Sequence, residues 1–138
     1  MALRIYSTLS RKKLRFKPVK SKKINFFVCG ITPYNFAHIG HGKTYVQFDF
    51  IVKYLRFKGY KVFYLQNITD IDDRILEESK KSGLSWKEIS KKYETQFLKD
   101  MKDLKVTSVD KYARATEYIQ EIISQVKILL LLHTYQLT

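Results

Sequence analysis

The sequence is poor in acidic residues, and none occurs before Asp49. Ten Lys and Arg residues precede that position, eight of them within residues 11–23, and the whole chain carries a formal net charge of +13. An excess of this size predicts attraction to polyanions, so nucleic acid or nucleotide is the expected class of partner. The basic run itself leaves two interpretations open: a solvated loop or arm, or a contact with polyphosphate or RNA.

Cysteine is also scarce, because Cys29 is the only one in the chain, and a single cysteine forms no internal disulfide. The N-terminus lacks the long apolar core of a signal peptide, so we expect a reducing, cytoplasmic location. The longest apolar run, residues 128–132, is far too short to cross a bilayer of about 30 Å. We therefore expect no membrane association.

Breakers of regular structure are few, with two prolines and five glycines in 138 residues. Hydrophobic residues make up 45% and aromatic residues 14% of the chain, which is typical of a folded protein and not of a disordered one. The length is sufficient for one domain with a core of its own.

The first half of the sequence predicts a strand, a helix and a second strand. Residues 24–28 and 60–67 are rich in β-branched and aromatic residues, as buried strands are. Between them, residues 40–58 place apolar side chains at helical spacing, and Gly59 follows as a stop signal. The apolar residues of that helix are Phe48, Ile51, Val52 and Leu55. A βαβ unit of this length predicts parallel strands with a right-handed crossover.

The second half predicts helices. One opens with a capping box at Thr69 and Asp72 and stops at Gly83, and the next opens with Ser85 as N-cap and Glu88 three residues later. A last helix is predicted from about Arg114 to Leu132. Negative charge in the first turn stabilises a helix, which is a sufficient account of Asp70, Asp72 and Asp73. Helical spacing assigns a second set of residues to the core: Trp86, Tyr93, Phe97 and Met101.

These elements predict an α/β architecture in three parts. Residues 1–23 form a basic N-terminal arm, residues 24–83 a parallel βαβ half-domain that binds nucleotide, and residues 84–138 a mainly helical segment. Ligands of open α/β sheets bind at the carboxyl ends of the strands. Cys29, the loop that leads to His41, and Thr69 are therefore expected to converge.

His38 and His41 lie where this loop enters the helix, a position whose free N–H groups and dipole favour phosphate. Two imidazoles one turn apart can donate hydrogen bonds to oxygens whose charge grows during phosphoryl or nucleotidyl transfer. Gly40 would let a flat ligand such as a purine lie against the backbone, and Lys43 adds charge. Two alternatives stay open: solvent-facing loop histidines, or a zinc site that both histidines share with Cys29.

Cys29 follows a predicted buried strand, where a free cysteine is most often a small hydrophobic residue. Gly30 and Thr32 come directly after it and suit the close approach of a ligand, so a thiolate ligand or a nucleophile is the alternative.

At these residues the sequence resembles a known family. The motif "HIGH" at residues 38–41, after a strand and at the start of a helix, is the signature of class I aminoacyl-tRNA synthetases. Its setting, "FVCGITPYNFAHIGHGKTYVQFDFIVKYLRFKGYKVFYLQNITDIDD", closely resembles the cysteinyl-tRNA synthetase family. The likeness extends from "IYSTLSRKKLRFKP" to "ARATEYIQEIISQVKILL", which is nearly the whole chain.

The resemblance implies the first half of a Rossmann-like class I synthetase nucleotide-binding fold and an ATP-dependent cysteine–tRNA ligase. Such an enzyme forms cysteinyl-adenylate from L-cysteine and ATP with Mg²⁺, and then transfers the cysteinyl group to tRNA(Cys). The family is usually monomeric. Cys29 matches a ligand of the family's Zn²⁺, which holds the substrate thiolate and so selects cysteine over serine.

The resemblance also assigns roles to the other residues of the site. His38 and His41 match the catalytic residues that stabilise the ATP phosphates. The residues that match ATP or adenylate contacts are Gly30, Thr32, His38, Gly40, His41 and Thr44, and those that match cysteine contacts are Cys29, Gly30, Asn67 and Thr69.

Other features of the family do not occur in these 138 residues: the remaining zinc ligands, the "KMSKS" loop and the anticodon-binding region. We therefore expect the chain to be a truncated, inactive fragment of such a ligase. The alternatives are a noncatalytic remnant that binds nucleotide or RNA, and a related ligase that joins cysteine to an amino sugar.

Overall fold

The structure, a computed structural model, describes residues 3–136, with side chains described up to residue 132. The first half of the chain contains four of the five strands and one helix, and the second half is mainly helical. The strands are β1 (Arg4–Ser7), β2 (Lys12–Arg15), β3 (Lys23–Ile31), β4 (Lys61–Ile68) and β5 (Lys111–Arg114). The helices are α1 (Ile39–Phe57), α2 (Asp73–Ser82), α3 (Trp86–Asp103) and α4 (Ile119–Gln136), with a 3₁₀ turn at Ala115–Tyr118.

The central sheet has the order β3-β4-β5 and is parallel throughout. Lys23 pairs with Lys61 at one end of β3, and Ile31 pairs with Ile68 at the other. Because α1 connects β3 to β4, the predicted parallel βαβ unit and the α/β fold class are confirmed. Each strand is longer than its apolar run, since the charged Lys23 and Lys61 also pair.

The core lies between this sheet and the helices that pack on it. Its buried members are Val28, Ile31, Tyr45, Val52, Leu55, Val62, Tyr64, Phe97, Met101 and Val106. The predicted apolar face of α1 is correct for Val52 and Leu55, but Ile51 is 40% exposed. Its place on the buried side is taken by Asp49, a residue that no apolar pattern would include.

Asp49 is buried because it binds the chain where it returns to the sheet. Its Oδ1 accepts hydrogen bonds from the backbone N–H groups of Thr107 (2.9 Å) and Ser108 (2.7 Å), and Lys53 lies 2.6 Å from Oδ2. Burial alone would raise the pKa of Asp49, but these hydrogen bonds bring it below its ordinary value. The carboxylate therefore stays charged inside the fold.

The segment after residue 84 is mainly helical, as predicted, but it also contains a strand that the sequence did not predict, because Lys111–Arg114 forms β5 beside β4. Asp110 fixes this strand, because its N–H donates to the Tyr64 carbonyl (2.9 Å) and its Oδ2 accepts from the Tyr64 N–H (2.7 Å). The last helix accordingly begins at Ile119 instead of Arg114. A strand of four residues is too short to show a period of two in the sequence.

The start of α2 also differs from the prediction. Asp72, and not Thr69, is the N-cap, and its side chain accepts a hydrogen bond from the Arg74 N–H at 2.9 Å. The other two signals are confirmed: Gly83 ends α2 in the left-handed conformation, and Ser85 and Glu88 form the capping box of α3.

Within the predicted basic N-terminal arm, residues 4–15 form a hairpin, because β1 and β2 pair antiparallel. Leu3 and Phe16 close its open end against the core, and the Phe16 ring meets the Tyr60 ring edge to face at 5.9 Å between centroids. Within the described residues, no helix has the length and apolar content that spanning a membrane requires.

Candidate nucleotide site

The site begins at an irregularity of β3. The pairing register between β3 and β4 shifts between Val28 and Ile31, so the backbone at Cys29 and Gly30 departs from the regular ladder. The side chain of Asn67 compensates, because its Oδ1 accepts a hydrogen bond from the Gly30 N–H at 2.8 Å. A Cβ atom at Gly30 would lie 1.6 Å from the Asn67 carbonyl oxygen. Gly30 is therefore required by the close approach of β4 itself.

Asn67 is occupied at both ends of its amide. While Oδ1 holds Gly30, Nδ2 donates to the Thr69 hydroxyl at 3.2 Å. Asn67 thus connects Gly30 with Thr69 and fixes the carboxyl ends of β3 and β4 relative to each other. The contact of Asn67 and Thr69 with cysteine stays a prediction.

Cys29 is exposed and is not the small buried residue that its position after an apolar run suggested. Its carbonyl oxygen accepts a hydrogen bond from the hydroxyl of Tyr45 at 3.4 Å, which connects β3 to α1. Among the side chains that the structure describes, no three His, Cys, Asp or Glu groups lie close enough to hold a metal ion. One thiolate does not meet the roughly four ligands of zinc, so the described residues do not form a zinc site by themselves.

The two histidines form the start of α1. His38 is the N-cap, and its Nδ1 accepts a hydrogen bond from the Gly40 N–H at 3.1 Å. His41 completes a capping box, since its Nδ1 accepts from the His38 N–H at 3.2 Å. A Cβ atom at Gly40 would lie 2.8 Å from the His38 ring, so glycine is needed there to let the ring fold over the helix start.

These caps determine which nitrogen of each ring carries the proton. An Nδ1 atom that accepts a hydrogen bond is unprotonated, so both neutral rings carry their proton on Nε2. Neither Nε2 has a partner among the described residues, and the ring centroids are 4.0 Å apart. The helix start therefore presents two adjacent N–H donors, in addition to the positive end of its dipole.

Burial lowers the pKa of His41, and the neighbouring His38 lowers it further. Its ring stacks on Tyr45 at 6.4 Å between centroids, and Tyr45 is only 2% exposed. Burial raises the pKa of Tyr45 to about 12, so its hydroxyl remains a donor at neutral pH. The environment of His41 thus favours its neutral imidazole.

A cleft of about 370 Å³ lies at this edge of the sheet, and we name it the histidine cleft. Its lining residues are Gly30, Ile31, Thr32, Tyr34, Asn35, Phe36, Ala37, His38, His41 and Arg74. Four residues predicted to bind ATP are among them. Gly40 and Thr44 belong to the first turns of α1 and are not among the lining residues, and the Thr44 hydroxyl donates to the Gly40 carbonyl at 2.9 Å.

Two residues of the site were not found from the sequence. Arg74 lines the histidine cleft from the first turn of α2, with its guanidinium 5.5 Å from the centroid of the Tyr34 ring. The second residue is Tyr45, whose hydroxyl donates to the Cys29 carbonyl and whose ring stacks on that of His41. The position of Arg74 in the first turn of the helix after β4 is a signal that the sequence contained, whereas the position of Tyr45 follows only from the packing.

A second cleft of about 410 Å³ lies between α3 and β5, and we name it the carboxylate cleft. Its lining residues are Asp70, Trp86, Lys87, Ser90, Lys91, Glu94, Arg114 and Thr116. The buried Glu94 forms an ion pair with Arg114, and the buried Asp70 accepts hydrogen bonds from the N–H (3.0 Å) and hydroxyl (2.5 Å) of Thr116. Asp70 therefore holds the segment after β5 and does not act as a helix cap.

Comparison with known proteins decides the family. The model of the tRNA synthetases class I (C) catalytic domain matches residues 15–137. The chain belongs to this family. That assignment agrees with the position of the "HIGH" motif at the start of α1, next to the carboxyl edge of a parallel sheet.

Relatives of the family support the assignment in sequence. The chain is 46% identical over 128 residues to the cysteine–tRNA ligase of Thermodesulfovibrio yellowstonii, which covers 93% of this chain and 26% of the relative. It is 50% identical over 122 residues to that of Thermoplasma volcanium, covering 88% of this chain and 27% of the relative. The chain thus spans about a quarter of the length of the curated relatives that it matches.

Solved structures support the fold. The structure of Mycobacterium tuberculosis methionyl-tRNA synthetase in complex with methionyl-adenylate superposes with a TM-score of 0.61 and 20% sequence identity. The match covers 67% of this chain and 18% of the synthetase chain. At this identity the likeness establishes the class I synthetase fold alone.

Proposed function

We propose that this chain is the part of a cysteine–tRNA ligase that holds ATP and cysteine during formation of cysteinyl-adenylate. In that reaction the cysteine carboxylate attacks the α-phosphate of ATP, and pyrophosphate leaves. The cysteinyl group then passes to the terminal ribose of tRNA(Cys). The observation that carries the proposal is the pair of Nε2–H donors, His38 and His41, at the start of α1 beside the histidine cleft.

Transition-state charge is the reason why these donors matter. When the carboxylate adds and pyrophosphate departs, negative charge grows on the phosphate oxygens, and fixed donors stabilise it without reorganising. The helix caps hold both rings in position before ATP arrives. Arg74, which lines the same cleft, adds a permanent positive charge.

Recognition of cysteine is proposed for the carboxyl end of β3. Cys29 is exposed there, next to Gly30, and Asn67 and Thr69 lie on the adjoining end of β4. We propose Cys29 as one ligand of a zinc ion that selects the substrate thiol. Because the described residues provide no closed zinc site, we assign no step to the metal. Mg²⁺ is expected as the counter-ion of ATP.

The main alternative is a noncatalytic module that binds nucleotide or RNA. It shares the helix start and the basic surface but predicts no chemistry. A ligase that joins cysteine to an amino sugar is less favoured. Two relatives that share 46% and 50% of their aligned residues with this chain are both named cysteine–tRNA ligases.

The test is a chimeric enzyme in which the 122 matched residues of this chain replace their counterparts in the Thermoplasma volcanium ligase. We expect cysteine-dependent exchange of pyrophosphate into ATP. His38→Ala and His41→Ala in the chimera are each expected to lower this exchange by about 100- to 1,000-fold, the usual effect of removing a transition-state donor.

The control is Gln47→Ala, which changes an exposed residue of α1 outside the histidine cleft and is expected to leave exchange unaltered. A folded chimera that binds ATP but exchanges no pyrophosphate would favour the noncatalytic module. The 138-residue chain alone is expected to show no exchange, because it contains about a quarter of the residues of its active relatives.

A further inference from the structure

The hairpin of β1 and β2 has one face whose composition differs from the rest of the surface. Arg4 pairs with Arg15 and Tyr6 pairs with Lys13. Cross-strand partners and alternate residues of a strand lie on the same face, so these four side chains form one surface, which we name the cationic hairpin face. All four residues are exposed, and Tyr6 retains 57% of its surface.

This face carries an electrostatic cost. Like charges directly opposite each other destabilise a β-ladder, and Arg4 faces Arg15. Across the described residues, every ion pair with a carboxylate involves a basic side chain from another part of the chain. Arg4 donates one hydrogen bond to the Lys13 carbonyl at 2.9 Å, which leaves most of its five N–H donors available.

The hairpin is nevertheless held in place. A two-stranded hairpin alone is marginally stable in water, but this one is closed by the hydrogen bond from the Phe16 N–H to the Leu3 carbonyl (2.8 Å). Phe16 also packs on Tyr60, which precedes β4. The cationic hairpin face is therefore fixed near the amino-terminal edge of the sheet, whereas the histidine cleft lies at the carboxyl edge.

We propose that the cationic hairpin face binds single-stranded RNA. Arg4, Lys13 and Arg15 contact consecutive phosphates, and the ring of Tyr6 stacks on an unpaired base. Cations arranged around an exposed aromatic ring are typical of surfaces that bind single strands. An acidic peptide would satisfy the charges but would leave the ring of Tyr6 without a role. The choice of RNA over DNA rests on the proposed function.

The experiment measures binding of the 138-residue chain to a fluorescein-labelled 12-nucleotide oligo(A) RNA by fluorescence anisotropy, over a range of salt concentrations. The test variant is Arg4→Gln, Lys13→Gln and Arg15→Gln combined. We expect its affinity at low salt to fall at least about tenfold. The slope of log affinity against log salt should become shallower by about two, since each neutralised phosphate contributes about 0.7.

A matched control carries the same change in net charge elsewhere: Lys80→Gln, Lys91→Gln and Lys102→Gln, all exposed residues of α2 and α3. Its affinity and salt slope are expected to stay near those of the wild type. The charge-conserving combination of Arg4→Lys, Lys13→Arg and Arg15→Lys should retain binding, which separates loss of charge from loss of the hairpin.

The stacking contact has its own test. Tyr6→Ala should weaken binding about tenfold with the salt slope unchanged, and Tyr6→Phe should restore it. The measurements contain neither ATP nor cysteine, so a failure of the pyrophosphate exchange in the chimera would not affect them.

Three results would overturn the proposal. Equal losses in the test and control triple variants would mean that net charge alone attracts RNA. Tighter binding to phosphatidylserine vesicles than to RNA, with no effect of Tyr6→Ala, would identify a membrane surface instead. Equal affinity for single-stranded DNA of the same sequence would remove the choice of RNA.

Discussion

The histidine cleft and the carboxylate cleft are similar in volume, at about 370 and 410 Å³, but differ in their polar chemistry. In the carboxylate cleft, Glu94 forms an ion pair with Arg114 and Asp70 accepts hydrogen bonds from Thr116, so both carboxylates have a protein partner. In the histidine cleft, the rings of His38 and His41 use Nδ1 for the backbone and present Nε2–H to the solvent. Prepositioned donors without a protein partner, and not the number of charged residues, are therefore the reason why we propose the histidine cleft as the binding site.

The largest effect is expected from breaking the carboxylate cleft. Arg114→Met leaves the buried Glu94 without its partner, and an unpaired buried charge costs about 3 kcal/mol or more. Urea unfolding of the 138-residue chain should show a loss of this size. Lys91→Met, an exposed residue of the same cleft, is the control and should change stability by less than about 0.5 kcal/mol. Equal losses in both variants would contradict the comparison.

A smaller effect is expected where the histidine cleft meets the sheet. Asn67→Ala leaves the Gly30 N–H without its acceptor and should cost about 1 to 2 kcal/mol of stability. The loosened backbone should also increase the rate at which a thiol reagent labels Cys29. Because Cys29 is the only cysteine, no other thiol contributes to the measured rate. Asn67→Asp keeps the acceptor and should lose less.

The control for Asn67 is Asn35→Ala, whose side chain accepts a hydrogen bond only from the neighbouring Phe36 N–H. It should leave labelling of Cys29 unaltered. A rate that is unchanged in Asn67→Ala would mean that this side chain does not position Cys29.

The pH dependence of stability should distinguish the two clefts further. Because the pKa of His41 is lowered in the folded chain, the unfolded chain binds the proton more readily. Stability from this group is therefore fully present above the ordinary value of 6.5 and is lost as pH falls through the folded pKa. Urea midpoints at pH 7.5 and pH 5.5 should differ more in the wild type than in His41→Gln. Equal differences would show that His41 does not titrate in this window.

The smallest effect is expected from Thr44→Val. The hydroxyl of Thr44 donates a hydrogen bond to the Gly40 carbonyl one turn earlier in α1, and an exposed hydrogen bond of this kind contributes little to stability. Stability should change by less than about 0.5 kcal/mol. The same variant in the chimera tests the predicted contact with adenylate, since a loss of exchange above about tenfold would support that contact.

Local signals in the sequence predicted local structure well. The apolar runs of β3 and β4, the stop at Gly83 and the capping box at Ser85 each depend on residues close together in the chain, and all are confirmed. The resemblance around "HIGH" was equally local and specific, and the family comparison confirms it.

Features that depend on distant residues were not predictable. β5 exists because Asp110 and the edge of β4 meet across the whole length of α2 and α3. Asp49 is buried because Thr107 and Ser108 need an acceptor, and no periodicity in α1 indicates this. The Nδ1 hydrogen bonds of His38 and His41 are local, but they depend on the conformation of the turn at the start of α1, which residue type alone does not determine.

The late position of β5 in the sequence has a consequence for the order of folding. β3, α1 and β4 are neighbours in the chain, whereas β5 reaches β4 only after α2 and α3 have formed between them. Contacts between distant segments form slowly, because the entropy of closing the loop is lost before the contacts are gained. We expect β5 to join the sheet last and, in native-state hydrogen exchange, to open before the β3–β4 pair does.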